Sequence, residues 1–175
     1  MGPNTYIHTV IFEPDHPPPS APSEPATPLV MIHGFGCGIP QYYKNYDHLH
    51  STRCVYSIDL PGYGRSTRSK FTEDSETNEN MFVDYLEKWR LAVGLEKFIL
   101  LGHSFGGYLS AAYTIKYPMY VRHLVLNDPW GLPNRVEEIE NGRGMKLPRW
   151  VHLAAMVVTK FNPFTPIRMA GPAGM

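Results

Sequence analysis

The chain has 175 residues, 43% of them apolar, enough for one globular domain with a substantial core and too apolar for a disordered chain. Its 16 acidic and 16 basic residues cancel to a formal net charge of zero, which argues against a dedicated nucleic-acid binder. Residues 1–28 hold no continuous apolar core of the signal-peptide kind, and no stretch is long enough to span a bilayer.

Tyr6 to Phe12 is predicted to form a strand. Pro14 to Pro28 follows, rich in proline and polar residues, and is expected to be an extended surface loop closing an N-terminal section of residues 1–28. Leu29 to Ile32 reads as a buried strand, and Gln41 to His50 carries a weaker helical pattern. Cys54 to Ile58 is the next strand. A helix is predicted from about Glu76 to Val93, where Met81, Phe82, Tyr85, Leu86, Trp89 and Val93 recur on one stripe. Acidic residues cluster at its start, and Gly94 stops it. Phe98 to Leu101 is a strand, Tyr108 to Tyr117 a helix, and His123 to Leu126 a strand ending at Asn127-Asp128-Pro129. Continuous apolar strands alternating with helices predict an α/β fold, a mostly parallel sheet with flanking helices, over residues 29–129.

From Trp130 strand signals vanish. Residues 130–175 are expected to begin a cap over the carboxyl edge of the sheet, with a helix from Trp150 to Phe161. After residue 142 the chain has five basic residues (Arg143, Lys146, Arg149, Lys160 and Arg168) and no acid. That basic section either solvates an ordinary cap helix or rests on a phospholipid surface. Cys37 and Cys54 form neither a metal spacing nor a disulfide framework, and two reduced thiols are expected.

Gly102-His103-Ser104-Phe105-Gly106 reads G-x-S-x-G between a predicted strand and a predicted helix. In that context Ser104 is expected to sit on a sharp nucleophile elbow, with Gly102 and Gly106 leaving room where a Cβ would clash. Acyl transfer passes through an oxyanion that needs two fixed N–H donors. Phe105, the residue after the nucleophile, is one candidate. Phe35, in the loop His33-Gly34-Phe35-Gly36 that ends the Leu29–Ile32 strand, is the other; His33, Gly34 and Gly36 support it. Asp59-Leu60-Pro61-Gly62-Tyr63-Gly64-Arg65-Ser66 is read as a tight structural loop, since it lacks the third glycine and the helix of a phosphate cradle.

Ser104 needs a base and an acid to orient it. His123 falls at the wrong end of a strand and His152 in the cap, so neither is assigned. Asp128 ends a strand at the right edge and is the one candidate acid, with a turn into the cap as its plainer role. His103 is expected to point away from the reacting centre. His123 and Asp128 also match H-x4-D, but on a strand they stand roughly 17 Å apart on opposite faces. The chemistry calls for no metal and no cofactor.

These motifs, with Glu87-Lys88-Trp89-Arg90, Asp128-Pro129-Trp130-Gly131-Leu132-Pro133, Phe161-Asn162-Pro163-Phe164 and Ala170-Gly171-Pro172, resemble the α/β-hydrolase superfamily. The match is narrower still with its subfamily of α/β-hydrolase-domain proteins 4 and 5, from Thr27 to Met175. The resemblance implies intracellular lipid metabolism. One branch is a lipase of lysophospholipids and N-acyl phosphatidylethanolamines. The other is a co-activator of a lipid-droplet lipase, with a lysophosphatidate acyltransferase activity. It implies a lipid or phospholipid substrate, a lipase partner in the second case, and a place at the surface of lipid droplets, endoplasmic reticulum or mitochondria. Ser104 favours the hydrolytic branch, since the co-activator branch carries Asn in place of the nucleophile in vertebrates. Family members continue well past this length, so the resemblance also implies an N-terminal part of the fold, with acid and histidine beyond Met175 and no activity by itself.

Overall fold

The structure is a computed structural model that describes residues 5–14 and 26–131. The expected cap and its helix from Trp150 to Phe161 lie outside the described residues, apart from Trp130 and Gly131. Five strands form one sheet: β1 (Thr9–Phe12), β2 (Leu29–Ile32), β3 (Val55–Ile58), β4 (Phe98–His103) and β5 (Val121–Asn127), in the order β1-β3-β2-β4-β5. Only β1 runs antiparallel to its neighbour; β2, β3, β4 and β5 are parallel.

The apolar runs of the central strands are explained by burial on both faces. Along β2, Val30 and Ile32 enter one core with Ile58, Leu100, Phe82, Leu86, Leu109 and Tyr113. Leu29 and Met31 enter the opposite core with Val55, Ile39, Tyr42 and Tyr46. β4 alternates in step, Phe98 and Leu100 to the first side and Ile99 and Leu101 to the second. The first core is covered by the helices α2 (Ser75–Val93) and α3 (Phe105–Lys116). The second is covered by a 3-10 turn (Ile39–Tyr42) and the short helix α1 (Tyr46–Leu49).

Several predicted elements differ in detail; β3 starts at Val55, β4 runs on to His103 and β5 spans Val121–Asn127. The strand expected from Tyr6 begins at Thr9, because residues 6–8 bond the loop after β3: Tyr6 N–H donates to Thr67 Oγ1 and His8 N–H to Ser66 Oγ, at 2.9 and 2.8 Å. The helix expected over Gln41 to His50 is broken. Pro40 starts a 3-10 turn, and Asn45 N–H bonds back to Tyr42 O at 2.8 Å. Tyr42 and Tyr46 are buried with their hydroxyls donating to Ile32 O and Ile39 O, at 2.9 and 2.5 Å, which takes precedence over a continuous helix. On α2 the buried stripe is rotated: Val83 and Arg90 are buried with Phe82, Leu86 and Trp89, while Met81 and Tyr85 are half-buried. Finally, α3 starts at Phe105 rather than Tyr108, so no linker separates it from β4.

Among the described residues no helix is long and apolar enough to cross a membrane. Cys37 and Cys54 are free thiols.

Candidate active site

Ser104 is the hinge of the β4–α3 turn. Its φ of 52° and ψ of −116° place a side chain in a region that L-residues avoid. Such strain costs on the order of 1–3 kcal/mol and persists only where the surroundings over-determine it. Here they do. Ser104 N–H donates to Asn127 O at 3.1 Å, at the end of β5, while Ser104 O accepts from Tyr108 N–H at 3.1 Å and Trp130 N–H at 2.9 Å. The flanking glycines are sterically required. A Cβ on Gly102 would stand 2.2 Å from Gly106 O, and one on Gly106 would stand 2.4 Å from His33 O.

The loop after β2 is packed directly on this elbow. A Cβ on Gly34 would meet His103 Nδ1 at 2.9 Å and Ser104 Cβ at 3.3 Å. His33 is fully buried and clamps the loop to the segment after β3. Its Nε2 accepts from Leu60 N–H at 3.0 Å, so the proton lies on Nδ1, which donates to Gly34 O at 2.8 Å. Burial pushes the imidazole pKa below its ordinary value, against the opposing pull of the Gly34 bond and of Asp59. Gly34 N–H donates to Gln41 Oε1 at 2.9 Å, and Gly36 turns the chain at φ 74°. Phe35 is 56% exposed, its ring set edge-on to those of Tyr63 and Phe105.

Asp59 fixes the far end of the same loop. Its Oδ1 accepts from Ile39 N–H at 2.8 Å, and its Oδ2 accepts from Arg65 N–H at 2.9 Å and contacts His8 Nδ1 at 3.0 Å. Burial alone would push this carboxyl up; the bonds from Arg65, Ile39 and His8 outweigh it and hold the group below the usual carboxylate range. The loop from Asp59 to Ser66 is thus structural, as its sequence indicates, with Ser66 Oγ donating to Asp59 O at 2.5 Å.

A model of the α/β hydrolase fold matches residues 27–164. The chain belongs to the α/β-hydrolase family. The human protein named 1-acylglycerol-3-phosphate O-acyltransferase ABHD5 is 47% identical over 149 residues, covering 85% of this chain and 42% of that protein. The bovine (lyso)-N-acylphosphatidylethanolamine lipase is 46% identical over 148 residues, covering 85% of this chain and 43% of the relative. The chain therefore spans less than half the length of these relatives. Among solved structures, a bacterial membrane phospholipase A, described as a virulence factor, aligns with a TM-score of 0.59 at 27% identity over 78% of this chain and 42% of that one. A probable hydrolytic enzyme from Pseudomonas aeruginosa aligns at 0.62 with 21% identity, over 73% of this chain and 38% of that one, which speaks for the fold.

In this α/β-hydrolase the remaining candidates separate cleanly. Asp128 follows β5 in a left-handed conformation, φ 46°, and is exposed. The structure puts it at the expected edge without a bond to an imidazole among the described residues. His123 pairs with Ile99, near the start of β4, and is exposed at the opposite end of the sheet from Ser104. His103 packs inward beside Gly34, its Nδ1 buried and without a hydrogen-bond partner among the described residues. His152 lies outside the described residues. Among the described residues no imidazole or carboxylate hydrogen-bonds the Ser104 hydroxyl, and no cluster of His, Cys, Asp or Glu is arranged for a metal.

A cavity of about 340 Å³ opens beside the elbow, between the Phe35 loop, the start of α2 and the first turn of α3. Sequence reasoning missed this cavity, and with it Glu79, which accepts a bond there from the Tyr108 hydroxyl. It also missed Gln41 and Tyr42 as braces of the β2 edge. Their only signal was a weak helical pattern that the tertiary bonds interrupt.

Proposed function

We propose that Ser104 is the nucleophile of a lipid acyl hydrolase acting on lysophospholipids or N-acyl phospholipids. The observation that carries this reading is the elbow: a serine held at φ 52° between two glycines that cannot bear a Cβ. Ser104 Oγ attacks the acyl carbonyl, its proton passing to a base outside the described residues. The carbonyl oxygen becomes an oxyanion received by the backbone N–H groups of Phe35 and Phe105. Collapse expels the alcohol or amine and leaves an acyl-serine, which water then cleaves. His33, Gly34, Gly36, Gly102 and Gly106 set the two donors by the contacts above. The likeness to a (lyso)-N-acylphosphatidylethanolamine lipase supports a phospholipid substrate; a lipid-droplet or membrane surface inside the cell is the place we propose for meeting it.

The likeness to a 1-acylglycerol-3-phosphate O-acyltransferase supports a second outcome for the same acyl-serine, transfer to a lysophospholipid hydroxyl instead of water. A non-catalytic role as adaptor for a droplet lipase is the reading that remains if Ser104 does not react. A fluorophosphonate probe decides. Full-length protein is expected to label, and Ser104→Ala to abolish the label; an unlabelled wild type overturns the enzyme in favour of the adaptor.

A further inference from the structure

The cavity beside the elbow has an unusual composition for a plain acyl-chain slot. Six aromatic rings line it: Phe35, Tyr63, Phe71, Phe82, Phe105 and Tyr108. They form a connected set. Phe35 meets Tyr63 at 77° and Phe105 at 81°, Phe82 meets Phe105 at 83°, and Phe71 stacks on Phe82 at 20°. Into this ring-lined space projects one acidic side chain, Glu79, bonded by the Tyr108 hydroxyl, and the described lining holds no Lys, Arg or His. Aromatic faces are negative and attract cations, and a half-buried acid beside them adds to that attraction.

One feature of the cavity would favour an anion: Ser75 and Asn78, in the first turn of α2, also line it. Part of that helix end is already bonded, and the Asn78 side chain donates to Thr72 O at 2.8 Å. Asp74 Oδ2 accepts from Thr77 N–H at 2.7 Å, and Asp74 O accepts from Asn78 N–H at 3.2 Å. The one charged side chain of the described lining is the acid, Glu79.

We propose that this cavity binds an alkylammonium group, with the aromatic rings around the cation and Glu79 as its counter-charge. The volume suits a trimethylammonium or primary ammonium head with part of the chain it is attached to. The ammonium comes either from a zwitterionic lipid headgroup or from a free amine. This site does not require Ser104 to react, so binding is measured on full-length Ser104→Ala protein and its outcome is separate from that of the hydrolase reading.

The experiment titrates choline, and separately its uncharged carbon isostere, in which a tert-butyl group replaces the trimethylammonium, by calorimetry or aromatic fluorescence. Choline is expected to bind about tenfold or more tightly than the isostere. Glu79→Gln is expected to remove that preference, while Tyr108→Phe, which keeps the acid and loses only the hydroxyl, is expected to keep it; circular dichroism checks that both variants fold. Monomeric lysophosphatidylcholine gives the second arm. Binding tighter than choline with the same Glu79 dependence identifies a lipid headgroup, and binding of choline alone identifies a free amine. Equal binding of choline and isostere, an unchanged preference in Glu79→Gln, or no choline binding at millimolar concentration overturns the proposal.

Discussion

His33 and Asp59 are the two buried titratable residues through which the loop beside Ser104 is tied to the rest of the sheet. Each works in one protonation state only. His33 must be neutral to accept from Leu60 N–H, and burial keeps its folded pKa below the ordinary 6.5. The unfolded chain therefore binds that proton more readily than the folded one. The stabilisation is complete above 6.5 and is lost as pH falls below it, through the folded value. Asp59 must be ionised to accept three donors, and its folded pKa is held below the ordinary 3.8. Its contribution is complete above 3.8 and drains away as pH falls further. Urea denaturation across pH is expected to show a plateau around neutrality and a decline that begins below 6.5. Asp59→Asn is expected to flatten the steeper loss at the acid end. A stability that rises on acidification from pH 7 would contradict the His33 assignment. The sequence made His33 and Asp59 visible as members of motifs. It did not show that they brace the same loop, because their bonds run between segments 20 and 27 residues apart.

At the scale of elements, two glycines that look alike in sequence do different jobs. Gly94 closes α2 at φ 71°, and a Cβ there would meet nothing within 4 Å. Gly94→Ala thus suffers only the left-handed backbone penalty, about 1 kcal/mol. Gly102 has its Cβ position occupied by Gly106 O at 2.2 Å and Ser110 Oγ at 2.4 Å. Gly102→Ala must push β4 and α3 apart, with a loss of about 3 kcal/mol. Chemical denaturation of the two variants measures the difference, and equal losses would refute the steric account of the elbow. The elements most legible in sequence were those with simple burial. β2 falls on Leu29–Ile32 as predicted, since every residue there is buried and the apolar run marks its ends. The segment from Gln41 to His50 was less legible because its aromatic residues serve the opposite core and carry hydroxyls that bond the backbone of other elements.

For the molecule as a whole, Arg90 and Glu87 join the helical layer to the sheet. Arg90 Nε and Nη2 donate to the two oxygens of Glu87 at 2.8 and 2.7 Å, and Nη1 donates to Leu95 O at 2.5 Å. Tyr113 of α3 donates to Glu87 at 2.6 Å, and the guanidinium lies 3.7 Å from the centre of the Tyr120 ring, just before β5. One ion pair, with Arg90 buried and Glu87 half-buried, therefore holds α2, α3 and the entries to β4 and β5 together. Arg90→Ala strands Glu87 and Leu95 O, and is expected to cost about 3 kcal/mol. Arg90→Lys is expected to recover little, since an ammonium cannot reproduce the fork or the ring contact. A thermal melt of the pair of variants tests this; a mild loss in both would show that the network is dispensable.

The sequence by itself determined the fold class, the strand that carries the elbow and the serine at its tip. Those depend on local signals: apolar runs, glycines where no Cβ fits, and a strand-to-helix switch within a few residues. The tertiary structure decided which segments hold the Phe35 loop against Ser104, that His33 is a neutral clamp, and that Glu79 belongs to a ring-lined cavity. Those depend on contacts between residues far apart in the chain, such as Glu79 with Tyr108 across 29 positions, which no local pattern encodes.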